Sequence, residues 1–132
     1  MGKTTTDARS GLELARSLHS LIDGEAAASE ALGRLTDKAA SSMLAAGLFS
    51  LPLPRSAGRL DVSLPEYFEA VEQVASADGS AAWCMAICNA TKLMFHRASS
   101  EQSRQDVFGD GPVAMWTSLL PFAKSAPAQD GF

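Results

Sequence analysis

From Ser80 to His96 the chain reads SAAWCMAICNATKLMFH, and every residue from Ala81 to Cys88 is apolar. Asn89, Thr91 and Lys92 then interrupt the run. Its length predicts a helix, since strands usually stop at roughly eight residues. A helix that is apolar nearly all round needs neighbours on every side. A lipid environment is excluded, because a spanning helix needs about 18 or more apolar residues and this run breaks off early. The segment therefore reads as the central helix of a helical domain.

The remaining pattern supplies helices to surround it. Asp7 is placed to cap a first helix running to about Ile22, with Leu14, Leu18, Leu21 and Ile22 on one face and Asp23-Gly24 as its end. His19 falls among polar residues of that helix and reads as a surface side chain. A second helix is predicted from about Glu25 to Ala46, with Leu32, Leu35, Ala39, Met43 and Ala46 as its buried stripe and Gly47 as its stop. Pro52, Pro54 and Gly58 exclude regular helix from Leu48 to Ser63, while Leu48, Phe49, Leu51 and Leu53 imply that this connection is packed down. Ser63-Leu64-Pro65-Glu66 is a capping-box signature for a third helix, whose apolar face is expected to be Leu64, Phe68, Val71 and Ala75. Asp78-Gly79 ends it, and Ser80 is expected to cap the central helix. A short helix over about 100–108 closes at Gly109.

After Gly109 the pattern changes. Val113 to Leu120 (VAMWTSLL) has the length of a strand and no helix caps. Gln129-Asp130-Gly131 reads as a turn before another strand. One strand cannot form a sheet. The chain thus reads as all-α, an orthogonal helical bundle over 1–109, followed by the first strand of a truncated β domain over 110–132.

Composition narrows the function classes. A chain of 132 residues with 46% hydrophobic content can bury a core without staples. A net charge of −4, with the eleven basic residues scattered, argues against nucleic acid as a partner. The polar start, MGKTTTDARSG, has no apolar segment of a secretory signal, and a cytoplasmic location is expected. The two cysteines, Cys84 and Cys88, stand one helical turn apart. Their Cβ atoms would be about 5–6 Å apart, too far for an unstrained disulfide. Without a further Cys or His pair they make a poor zinc site. They read as small buried hydrophobes.

Three stretches carry a family resemblance. Ala45-Ala46-Gly47-Leu48-Phe49, followed by Pro54-Arg55 and Gly58, is the first. Val74-Ala75-Ser76-Ala77-Asp78-Gly79-Ser80-Ala81-Ala82-Trp83 is the second. Pro121-Phe122-Ala123-Lys124-Ser125-Ala126 with Asp130-Gly131-Phe132 is the third. In order and spacing they resemble the N-terminal helical domain of the acyl-CoA dehydrogenase superfamily. The similarity is greatest to the two-component flavin-dependent monooxygenases that hydroxylate aromatic or heteroaromatic substrates. The resemblance implies a longer parent with a helical domain, a middle β domain and a C-terminal four-helix bundle, assembled as a homo-oligomer, usually a tetramer. It implies FMN or FAD as cofactor, in a site that this chain contains only in part. It also implies O2, a small-molecule substrate, and a flavin reductase as partner, with no nucleic acid or membrane.

Residue by residue, the resemblance places Trp116, Ser118, Leu119 and Ser125 at flavin positions of the first middle-domain strand and its loop. Asn89 is the polar residue of the central helix that would face the flavin. The catalytic base would lie beyond Phe132. Two departures stand out. The dehydrogenases' Thr-Glu-Pro is Leu119-Leu120-Pro121 here, and a glycine position is Lys124. The first tilts the reading away from dehydrogenation of an acyl-CoA, which is the alternative. The second would hinder close backbone approach to the cofactor. A further alternative is a helical interaction module without catalysis.

Overall fold

The structure is a computed structural model and describes residues 10–54, 61–109, 111–117 and 126. Five α-helices occur among them: α1 (Gly11–Leu32), α2 (Asp37–Ala45), α3 (Leu64–Ala75), α4 (Gly79–Ala98) and α5 (Glu101–Phe108), with a single 3-10 turn at Leu48–Ser50. The helical reading of the chain is borne out. Among the described residues no strand is present, contrary to expectation for Val113–Thr117. A strand exists only by pairing, and no partner strand is present there. Ser118 to Leu120 lie outside the described residues, as does the expected Asp7 cap.

Helix α1 begins at a reciprocal cap. The Ser10 amide donates to Glu13 Oε2 at 2.8 Å, and the Glu13 amide donates to Ser10 Oγ at 3.1 Å. The helix does not end at Asp23-Gly24 but runs through it to Leu32. A mid-helix glycine costs only about 1 kcal/mol relative to alanine. Tertiary contacts beyond it outweigh that. Ser29 is buried, and Glu25 holds the start of α2 through Thr36 Oγ1 (2.8 Å) and Lys38 Nζ (2.9 Å). The true stop is Gly33, at φ +66, a left-handed conformation that glycine adopts freely. The predicted second helix is therefore the end of α1 plus α2, and Leu32, expected inside, is exposed.

Helices α1 and α3 pack along their lengths. His19 Nδ1 lies 3.0 Å from Gln73 Nε2, so this half-buried histidine tethers the two helices rather than facing solvent. The start of α3 is also tied across. Ser63 Oγ accepts from the Glu66 amide, but Glu66 Oε1 accepts from the Gly11 amide of α1 at 2.9 Å instead of completing its own capping box. The buried face of α3 also differs from expectation. Ala70 and Val74 are buried, with Tyr67, Val71 and Ala77 against the core, whereas Leu64, Phe68 and Ala75 face outward.

Helix α4 is capped by Asp78, whose carboxylate accepts from the Ser80 amide at 2.8 Å; Ser80 is inside the helix. Its buried residues are Ala81, Ala82, Met85, Cys88, Asn89, Thr91 and Lys92. These fall on one broad face. The other face is open, with Trp83 68% and Met94 61% exposed, so α4 is not covered all round. The packed connection after α2 is as expected: Leu48, Phe49, Leu51 and Leu53 are all buried against the core. Arg104 of α5 donates to the His96 and Ser99 carbonyls at 2.9 and 2.7 Å. This places a cation at the C-terminus of α4, where the helix dipole favours it.

Candidate site: an apolar cleft between α2 and α4

Three residues of α4 hold the 3-10 turn. Asn89 Nδ2 donates to the Leu48 carbonyl at 2.8 Å, Cys88 Sγ lies 3.9 Å from the Phe49 carbonyl, and Lys92 Nζ donates to Ser50 Oγ at 2.7 Å. Positions 88, 89 and 92 share one face, so each of the three residues of the turn meets a group on that face of the helix. Asn89 is fully buried and Lys92 is 1% exposed. The Asn89 amide also lies against Tyr67. Burial pushes the Tyr67 hydroxyl above its ordinary value, and the Asn89 amide opposes that rise. Asn89 Oδ1 and Thr91 Oγ1 are buried without a hydrogen-bond partner among the described residues.

Holding the turn in place shapes a cleft of about 600 Å³ between α2 and α4. Leu35, Ala40, Leu44 and Phe49 form one wall, and Cys84 and Cys88 the other. The segment Gly111–Thr117 contributes Ala114 and Trp116. It is pinned by the Met115 amide, which donates to Cys88 Sγ at 3.2 Å. A neighbouring hollow of about 470 Å³ shares Gly33, Arg34, Leu35 and Cys84 with the cleft and reaches Gly79, Ser80 and Trp83 at the start of α4. Volumes of this size suit small organic ligands, for which about 300–1,000 Å³ is usual.

The electrostatics of the cleft are close to neutral. At its mouth Arg34 pairs with Asp37 at 2.8 Å. Desolvation raises the Cys84 thiol above its ordinary value, with the Asp78 carboxylate and Cys88 adding to the rise, so the thiol stays protonated. A protonated thiol is a soft, polarisable wall and a poor nucleophile.

No protein-family model matches the chain, and no curated protein matches it. The resemblance stands on the residues quoted for it.

The structure brings one of the five expected flavin residues to this cleft. Trp116 lines it, with its indole 75% exposed. Asn89 is turned into the packed interior and is not among the cleft's lining residues. Ser118, Leu119 and Ser125 lie outside the described residues. Sequence reasoning gave Cys84 no role beyond packing, yet it is common to both hollows. Its signal was present as a thiol one turn from Cys88 in an apolar run, but the facing wall comes from α2, some 40 residues earlier. Lys92 was legible only as a break in that run; the Ser50 partner that admits it to the interior was not.

Proposed function

We propose that this chain is the N-terminal helical part of a flavin-dependent oxidoreductase, a monooxygenase that hydroxylates an aromatic or heteroaromatic substrate with reduced flavin and O2. The observation that carries this reading is the apolar cleft lined by both segment 111–117 and α4, which are joined by the Met115 amide on Cys88 Sγ. The resemblance assigns those same two elements to the neighbourhood of the flavin. A flavin would supply the oxygen activation; this chain would supply a dry wall and orientation.

The cleft's lining fits a planar ring and does not fit a flavin's phosphate. Arg34 is the one cation among its described lining residues, and that cation is already paired with Asp37. Phosphate binding would fall to other parts of the parent, together with the catalytic base.

The reading is tested on the parent gene product, mixed with FMN or FAD and freed of unbound cofactor. Retained flavin absorbance, bleached by an NADH-driven reductase and restored by oxygen with hydroxylation of an aromatic substrate, is the expected result. Bleaching by an acyl-CoA would replace the reading with dehydrogenation. No retained flavin in either case would remove the enzyme reading.

A further inference from the structure

We infer that the open face of α4 is a two-fold contact surface on which a second copy of this chain docks antiparallel, with Trp83 of each copy packing on Met94 of the other. The inference concerns the helical part alone and stands whether or not the flavin-dependent reading does.

The face is apolar and uncovered. Trp83, Ile87, Ala90 and Met94 follow one another at steps of four, three and four residues, which sets them in a single stripe along the helix. Ala90 is exposed and Ile87 is half-buried. The described elements that pack on α4 meet it elsewhere. The 3-10 turn meets Cys88, Asn89 and Lys92, and the segment Gly111–Thr117 meets Cys88. Tyr67 of α3 meets Asn89, and Phe108 of α5 meets Phe95. Leu64 and Phe68 extend the apolar surface onto α3. They stand beside Tyr67, about half a turn round the helix from Glu66 and Gln73, the residues that reach α1. Trp83, Met94, Leu64 and Phe68 are each more than half exposed and together present roughly 500 Å² of apolar surface. A stable pair covers about 800 Å² on each partner, about 65% of it apolar in homodimers. The surface available meets that requirement.

The stripe is complementary to itself, which selects a second copy as its occupant. Its midpoint falls between Cys88 and Asn89. Ile87 and Ala90 stand equally far on either side of that point, and so do Trp83 and Met94. A two-fold axis there makes each contact occur twice. Antiparallel apposition lays Trp83 on Met94, a sulfur–aromatic contact, and Ile87 over the short side chain of Ala90. Parallel apposition would face Ala90 with Ala90 and leave a gap. Charge selects the same direction. Asp78 caps the start of α4, Arg97 is exposed in its last turn, and no exposed residue of the helix between them is charged. In the antiparallel pair Asp78 and Arg97 come within about 3 Å of the same height along the axis, and the two helix dipoles oppose each other. A parallel pair would set Arg97 against Arg97.

The test is sedimentation equilibrium of the purified chain from about 1 to about 200 µM, a range that brackets micromolar association. The expected result is a reversible monomer–dimer equilibrium. Trp83→Lys and Met94→Glu should each weaken it by about tenfold or more. The double variant should associate more tightly than either single one, because antiparallel pairing sets each new lysine on a new glutamate. Trp116→Phe, in the cleft, should leave the equilibrium unchanged. It also leaves Trp83 as the sole indole, whose emission should shift to the blue with the same concentration dependence. Circular dichroism confirms that each variant is folded; both charged substitutions fall at exposed positions. A chain that stays monomeric throughout would overturn the inference and assign the face to a different partner. A dimer indifferent to Trp83 and Met94 would overturn it too. A double variant weaker than both single ones would mean parallel pairing and overturn the arrangement inferred here.

Discussion

Asn89 Nδ2 donates to the Leu48 carbonyl at 2.8 Å across 41 residues of sequence, with the Asn89 side chain fully enclosed. This bond fixes the turn after α2 on α4, and so fixes the Phe49 wall of the cleft. Asn89→Ala should leave a buried carbonyl unsatisfied and a small void. A loss of roughly 2–3 kcal/mol is expected, read as a lower urea midpoint with an unchanged slope. A residue reserved for a cofactor would show no such loss in the isolated chain.

Helix α1 passes through Gly24 without a break, and a methyl group there would meet nothing within 4 Å. Gly24→Ala should stabilise the chain by about 0.5–1 kcal/mol. Gly33→Ala should do the reverse by roughly 1–2 kcal/mol, because its φ is +66. If the chain instead turned at Asp23-Gly24, Gly24→Ala would destabilise it, so paired thermal melts decide the matter.

Glu25 accepts from Lys38 and Thr36, and those two hydrogen bonds hold its carboxyl below the ordinary value of 4.5. A carboxylate depressed in the fold contributes stability above its unfolded value and loses it as pH falls through its folded one. Wild type should therefore exceed Glu25→Gln in stability at neutral pH. The gap should begin to close below about pH 5 and vanish at lower pH. Chemical denaturation of both proteins across the acid range measures it. A gap independent of pH would mean that the carboxylate's charge plays no part.

Tyr67 is the only tyrosine in the chain, so its ionisation can be followed by ultraviolet absorbance without assignment. Burial raises it above its ordinary value of 10.0. A group raised in the fold stabilises below its unfolded value, and that contribution is lost as pH rises through the folded one. The native chain should titrate later than the same chain in denaturant, and stability should fall above pH 10.0. Coincident titration curves would place Tyr67 in solvent.

Trp116 and Cys84 both line the cleft, yet the sequence marks Cys84 only as an apolar packing residue. The exposed indoles Trp83 and Trp116 show why: an apolar residue in sequence does not state which face of its helix will be covered.

Local chemistry in the sequence determined the helical character of the chain, the Ser63 cap and the packed Leu48–Leu53 connection. Each of these depends on a side chain reaching its own backbone a few residues away, or on an unbroken apolar run. The tertiary structure alone decided that α1 continues past Gly24, that α3 buries Ala70 and Val74 instead of Leu64 and Phe68, and that Lys92 lies inside. Those outcomes turn on partners 11 to 55 residues away, Thr36 for Glu25, Gly11 for Glu66 and Ser50 for Lys92. A hydrogen bond between distant segments can offset a weak local preference of about 1 kcal/mol, and no periodicity in the chain announces where such a partner will be.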